Sequence, residues 1–419
     1  MEHSTQGARD RSAAPAGLRS PAFRLLLLAT LTSFSGYILL LPIVPLWATE
    51  GGVGEFGAGT TTAVFMLTTV LTQLAMPWLL DHGGYRWTFT AGALLLGLPA
   101  PLLLLSNDLG PVIAISAVRG IGFGMITVIG AALSVRLVPA HQIGRAAAYY
   151  GVAIGIPNLV FLSVGVWMAL NLGFETVFWM ATVIPLIGAV ATVLLWRIAG
   201  DGLAGATVAG PKAGNGSAAA DRTRIWALLS GPLLIMLALS LSSSVVLTFL
   251  SIPLSATPLV ASAALLGYGA MTVAGRWLAG NLSDRRGRPT LALPAVVLGA
   301  AGIGLTAIAV WPSQGGWDGP SPAGAALTVV GASLFGAAFG AAQNDTLVTM
   351  FRRAGPRRQG TASAVWNIGF DAGTGAGSIG LGVIAQLAGF GPAFLTTAIL
   401  TACCLPLAAQ LGRVASTVE

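Results

Sequence analysis

Charge is what this sequence has least of: 8% of its 419 residues are Asp, Glu, Lys or Arg, where soluble globular chains carry about a quarter. Water is therefore not its main solvent. Cysteine is nearly absent, and the two present, Cys403 and Cys404, are adjacent, so their side chains diverge by about 100° on a helix. That excludes a disulfide framework and a cysteine-ligated metal site. The three histidines, His3, His82 and His141, stand in no metal-ligand or nucleophile constellation. No metal ligand and no catalytic residue is expected, which argues against a membrane-embedded enzyme. A sensor is disfavoured as well, because no soluble domain is left to signal through.

What fills the chain is apolar: 55% hydrophobic residues and a mean hydropathy of +0.82. Crossing a bilayer as a helix takes about 20 mostly apolar residues, and about twelve such runs follow one another. They lie near residues 23–47, 58–80, 88–106, 110–136, 146–171, 175–196, 225–250, 258–280, 290–311, 323–351, 361–388 and 391–411. The first is too long for a signal peptide and no small-residue cleavage site follows it, so it is expected to remain as the first span. The fold class expected is an all-α membrane protein.

Basic residues are missing from one side. With these spans, the loop arginines from Arg9 to Arg413 and the single lysine, Lys212, fall at one face, while the opposite loops carry Glu50, Glu55, Asp108, Glu175 and Asp318. The positive-inside rule then puts both termini in the cytoplasm. The formal charge of +7 is scattered beside helix ends, so it is no nucleic-acid footprint. One connection is rich in Gly, Ala and Ser and reads as a linker. The expected organisation is an N-terminal tail (1–21), a six-helix bundle (22–198), a cytoplasmic linker (199–224), a second six-helix bundle (225–412) and a short tail (413–419).

Two loops half a chain apart share one pattern. Leu79-Leu80-Asp81-His82-Gly83-Gly84-Tyr85-Arg86 and Leu282-Ser283-Asp284-Arg285-Arg286-Gly287-Arg288 each close the second span of a half, which reads as a duplicated, parallel repeat with a cavity between its halves. This pair resembles the signature of the major facilitator superfamily, Gly-x-Leu-Ala-Asp-x-x-Gly-Arg-Lys/Arg. The second copy is the cleaner; the first has Pro77 for the leading glycine and His82 for a usual arginine. The resemblance covers about residues 22–412 and implies a twelve-helix fold in two six-helix halves related by a pseudo-twofold axis. It also implies a cytoplasmic gate in which Asp81, Gly84, Arg86, Asp284, Gly287 and Arg288 take part, with Asp81 facing the start of span eleven near Gly360 and Asp284 the start of span five near Gly144. Arg276, two turns before Asp284, is expected at the same gate.

Span four carries Arg119-Gly120-Ile121-Gly122-Phe123-Gly124, similar to the family's Arg-x-x-Gln-Gly-x-Gly segment, whose arginine is associated with proton coupling; Arg119 stands at the glutamine position of that pattern. Span five carries Gly151-x-x-x-Gly155-Ile156-Pro157, which is similar to an exporter motif but has its proline one place late and no closing glycines. In span eleven, Asn367, Asp371, Thr374 and Ser378 share one helical face, and Gly369, Gly373 and Gly377 line another. Gly122, Gly155, Gly373 and Gly377 are read as packing positions. An ionised Asp371 deep in the membrane costs several kcal/mol unless paired or wetted, so it leads the candidate proton sites, with Asp345 and Arg119 beside it.

Polar stripes and aromatics outline the expected cavity: Tyr37, Thr69, Gln73, Asn158, Trp226, Ser244, Trp366 and Asn367. The expected function is export of a small amphipathic or hydrophobic molecule in exchange for protons by alternating access, with uptake or sugar-type efflux as the alternative. The proton gradient is the energy source and no cofactor is expected. The expected partners are the substrate, protons and the lipid bilayer, with no nucleic acid and a functional monomer. The arginine bias fits a high-GC bacterial genome, which places the protein in a bacterial cytoplasmic membrane and makes antibiotic resistance a natural context.

Overall fold

The computed structural model describes residues 17–139, 142–199, 218–286, 288–311, 321–355 and 358–414. The chain begins its first crossing with α1 (Pro21–Leu40), where the Ser20 hydroxyl accepts from the Phe23 amide at 3.1 Å and Pro21 occupies the first turn. Both residue types favour a helix start. After a break at Leu41 and Pro42, α2 (Ile43–Glu50) completes the crossing.

Helix α3 (Glu55–Gly97) is 43 residues long, about 65 Å at 1.5 Å per residue and twice what a bilayer core needs. It is two crossings joined at Gly84, whose φ of +61° and ψ of 175° break the helix. That region of backbone space admits glycine at no steric cost. The second arm continues as a 3-10 turn over Ala100–Leu105, because Pro99 and Pro101 deny the α-helix its amide donors. Next come α4 (Leu109–Arg136), α5 (Ile143–Leu172) and α6 (Phe174–Ala199).

The second half comprises α7 (Ala218–Ser244), α8 (Pro258–Arg286), α9 (Ala292–Ala309), α10 (Pro322–Ala354), α11 (Gln359–Ala388), α12 (Phe390–Ala402) and α13 (Leu405–Val414). A π-helical turn, Val245–Phe249, extends α7. Helix α7 starts seven residues before the expected span, since Ala218-Ala219-Ala220 favours helix beyond the apolar run; the rest of the linker, 200–217, lies outside the described residues. Eleven described helical segments are long and apolar enough to cross a membrane, and one of them, Glu55–Leu105, is the bent double crossing. The architecture is an all-α membrane fold compatible with twelve crossings in two six-helix halves.

The halves touch along two seams, α3 against α11 and α5 against α8. Both seams are tight toward the face away from the termini. There, a β-carbon on Gly59 would run into the Ser378 carbonyl oxygen, one on Gly382 would stand 3.1 Å from the Glu55 carbonyl, and one on Gly269 would stand 2.9 Å from that of Asn158. Toward the terminal face the seams open. Gly151 of α5 has no neighbour within 4 Å of where a β-carbon would be, and Asp81 and Asn367 are exposed. The molecule is closed on the far face and open on the terminal face.

Candidate functional site

The centre of the molecule is the level at which the α3–α11 seam parts. Asp371, twelve residues into α11 and so about 18 Å along it, is 5% exposed and accepts a hydrogen bond from Gln73 Nε2 of α3 at 2.7 Å. Gln73 Nε2 also reaches Thr127 Oγ1 of α4 at 3.3 Å, whereas Gln73 Oε1 is buried with no partner among the described residues. One amide therefore spans both halves.

Helix α11 presents two different faces to two neighbours. Gly369, Gly373 and Gly377 lie against Leu233, Leu237 and Leu241 of α7, so close that β-carbons there would meet α7 atoms. The face with Asp371 and Ser378 meets α3. Farther from the terminal face, Thr248 donates to Thr62 at 3.3 Å and lies 3.2 Å from Ser378 Oγ. Ser251 Oγ bonds the Pro42 carbonyl, and the Phe56 amide bonds Gln386 Oε1. These contacts join the halves by hydroxyls and backbone, without an ion pair among the described residues.

Two aromatic groups flank the centre. In the first half, Tyr37 of α1 stacks on Phe123 at 3.9 Å and on Phe65 at 5.5 Å. In the second, Trp366 stacks on Phe370, which meets Phe339, which in turn stacks on Tyr268. Tyr37 is within electrostatic reach of both Asp371 and Tyr268. Trp366 Nε1 donates to Thr346 Oγ1 at 3.0 Å, and Asn367, one turn before Asp371, is exposed at the mouth with its amide on the Ser363 carbonyl.

Other residues singled out from the sequence are engaged by other contacts. Thr69 is spent on the Phe65 and Gly120 carbonyls, tying α3 to α4. Ser244 bonds the Leu241 carbonyl and sits against Gly377. Asn158 bonds the Ile154 carbonyl at the α5–α8 seam. Trp226 is half-exposed at the start of α7, about 16 Å toward the terminal face from the level of Leu237. Gly122 packs against Gly92 and Leu96, while Gly155 has room, its nearest prospective contact being Val273 at 4.0 Å.

The charged candidates separate into three settings. Arg119 is 3% exposed, with Nε on the Leu96 carbonyl at 3.1 Å and Nη2 on the Gly36 carbonyl at 3.0 Å. Its guanidinium lies over the Phe65 ring. Asp345 is 1% exposed, and its Oδ2 accepts from the amide of Leu291, the residue that caps α9. A carboxylate there answers the unpaired amides and positive dipole of a helix start. At the terminal face, Asp81 is exposed with no described partner, Arg86 lies over Trp87 at 5.2 Å, Arg276 is exposed beside Gly340, and Arg288 Nη1 is buried with no partner among the described residues. The side chain of Asp284 and all of Gly287 lie outside the described residues.

Gly59, Gly375 and Gly382, which let α3 and α11 touch, were not expected from the sequence as packing positions; for Gly375 and Gly382 the signal is small residues on the same face of α11 as Asp371. Thr127 and the aromatic partners Phe65 and Phe123 were also missed, because aromatics in an apolar run carry no mark of which way they point.

A profile described as Major Facilitator Superfamily matches residues 26–350. The chain belongs to the Major Facilitator Superfamily. Similar solved structures support this facilitator's fold. A bacterial homolog of the human lysosomal transporter Spinster, in an inward-facing and occupied conformation, matches at a TM-score of 0.69 and 14% identity, covering 96% of this chain and 98% of that one. A POT family transporter in complex with 5-aminolevulinic acid matches at 0.72 and 13%, covering 96% and 99%. A variant of the nucleoside transporter NupG matches at 0.60 and 13%, covering 92% and 99%. A Yersinia enterocolitica protein assigned by inference to multidrug resistance, MdtD, is 25% identical over 153 residues, 36% of this chain. The match spans 32% of MdtD, about a third of its length.

Proposed function

We propose that this facilitator exports a small amphipathic or hydrophobic molecule in exchange for protons, by rocking of its two halves, and that Asp371 carries the proton. The observation that carries this reading is the Gln73–Asp371 bond, a buried carboxyl held across the seam at the level where the halves part. Gln73 suits both forms of that carboxyl: its Nε2 donates to the carboxylate, and its Oε1, without a partner among the described residues, is the acceptor a protonated acid needs. A charge-assisted bond offsets part of the cost of an ionised group at this depth.

The aromatic walls, few charges and open mouth suit an apolar or amphipathic cargo, and the likeness to MdtD favours a drug-type one. Placing the arginine-rich terminal face in the cytoplasm makes the conformation described here the one that loads cargo from the cytoplasm of a bacterial inner membrane. The residue-level test is Asp371→Asn. It should insert and fold, lose gradient-driven transport, and keep substrate–substrate exchange, measured in proteoliposomes. Full gradient-driven transport by that variant would remove Asp371 from the coupling role.

A further inference from the structure

Beside Tyr37, between α1, α2, α3 and α4, lies a small, partly open pocket of about 20 Å³. It shares Tyr37 with the centre at Asp371 and extends from there to Leu41 and Val44, where α1 gives way to α2. Its polar lining includes Tyr37, Ser116, Thr61, Thr62 and Arg119. The pocket borders the closed seam, since Thr62 accepts from Thr248 of the other half.

The charge in this pocket is unbalanced. Arg119 makes no ion pair with a described carboxylate; its two hydrogen bonds go to neutral carbonyls, and Nη1 has no partner among the described residues. An arginine stays protonated, and a buried cation without a counter-charge carries a desolvation penalty of several kcal/mol. Tyr37 and Ser116 are 7% and 2% exposed, and neither hydroxyl has a hydrogen-bond partner among the described residues. Three donors and one net positive charge thus line one small space; Asp371 is within electrostatic reach of Tyr37 but makes no ion pair with Arg119.

We propose that this pocket binds a small monovalent anion of chloride's size, held by Arg119 and the hydroxyls of Tyr37 and Ser116. A water needs about 10–15 Å³ of such space, so one water-sized or slightly larger ion fits and a tetrahedral oxyanion does not. Water would satisfy the donors but leave the charge of Arg119 uncompensated. The ion supplies that charge. Because the far-face seam closes over it, the anion stabilises the conformation described here, whatever the cargo or the driving ion.

The test uses the purified full-length protein. Thermal unfolding is followed while sodium gluconate is replaced by sodium chloride at constant ionic strength. A saturable rise in Tm is expected with chloride and bromide and not with sulfate. Ser116→Ala and Tyr37→Phe each remove one donor to the anion and should raise the half-saturating chloride concentration about tenfold. Superimposable chloride and gluconate curves would overturn the proposal in favour of water, and a rise unchanged in both variants would place the anion elsewhere. Should a variant fail to fold, crystals of the wild-type protein grown in bromide decide: an anomalous peak among Tyr37, Ser116 and Arg119 supports the site, and its absence rejects it.

Discussion

Gln73 of α3 donates to Asp371 of α11 at 2.7 Å, joining the two halves through two buried side chains 298 positions apart in sequence. Below this bond the seam is open; above it, glycines bring the helices to backbone contact. Replacing Gln73 by Leu keeps the bulk and removes the bond. A hydrogen bond to a charged group is worth about 1.5–3 kcal/mol, so gradient-driven transport in proteoliposomes should fall about ten- to a hundredfold with insertion unaffected. Transport at the wild-type rate would mean that the bond has no part in the cycle.

Gly59 has no space for a side chain beside Ser378. Gly59→Val should hold the far face ajar, because overpacking there costs about 1–3 kcal/mol. In a background with Cys403 and Cys404 replaced by Ser, a cysteine at Thr248 should be protected from membrane-impermeant maleimide in the parent and labelled in the Gly59→Val protein. Continued protection would show that the seam adapts.

Asp345 is bonded at the start of α9, a placement that separates two roles. If capping is its work, Asp345→Asn retains an acceptor oxygen and keeps transport, whereas Asp345→Ala loses about 1–2 kcal/mol of stability, seen as a lower Tm. Loss of gradient-driven transport in a stably folded Asp345→Asn protein would point instead to a proton role.

Asp81 is exposed, with no partner among the described residues. Its contribution as a latch would come in the other conformation, so Asp81→Asn should shift the population toward the open state. A cysteine introduced at Thr361 should then label faster in the variant. Equal rates would mean that the loop acts only as a turn.

The double crossing at Gly84, the two halves and the polar face of α11 were legible because each leaves a periodic or repeated trace: apolar runs, paired Asp loops, and Asn367, Asp371, Thr374 and Ser378 at helical spacing. What the sequence could not specify is which polar residues face the centre. Thr69 and Ser244 look like cavity residues in the stripe, but their hydroxyls are spent on backbone carbonyls, an option open to any helical Ser or Thr. Asp345 and Asp371 look alike from composition, and only the fold brings α9 to one and Gln73 to the other. Arg119 is set apart by what the fold withholds, since no described carboxylate comes within ion-pair reach.

The most direct measurement of proton-coupled export is proton release from energised inside-out vesicles, followed with a pH-sensitive dye while antibiotics, lipophilic cations and sugars are added in turn. Release on addition of one hydrophobic or amphipathic class, absent from Asp371→Asn vesicles, is the expected result. Transport of a cargo with no accompanying proton movement, or proton release undiminished in Asp371→Asn vesicles, would contradict it.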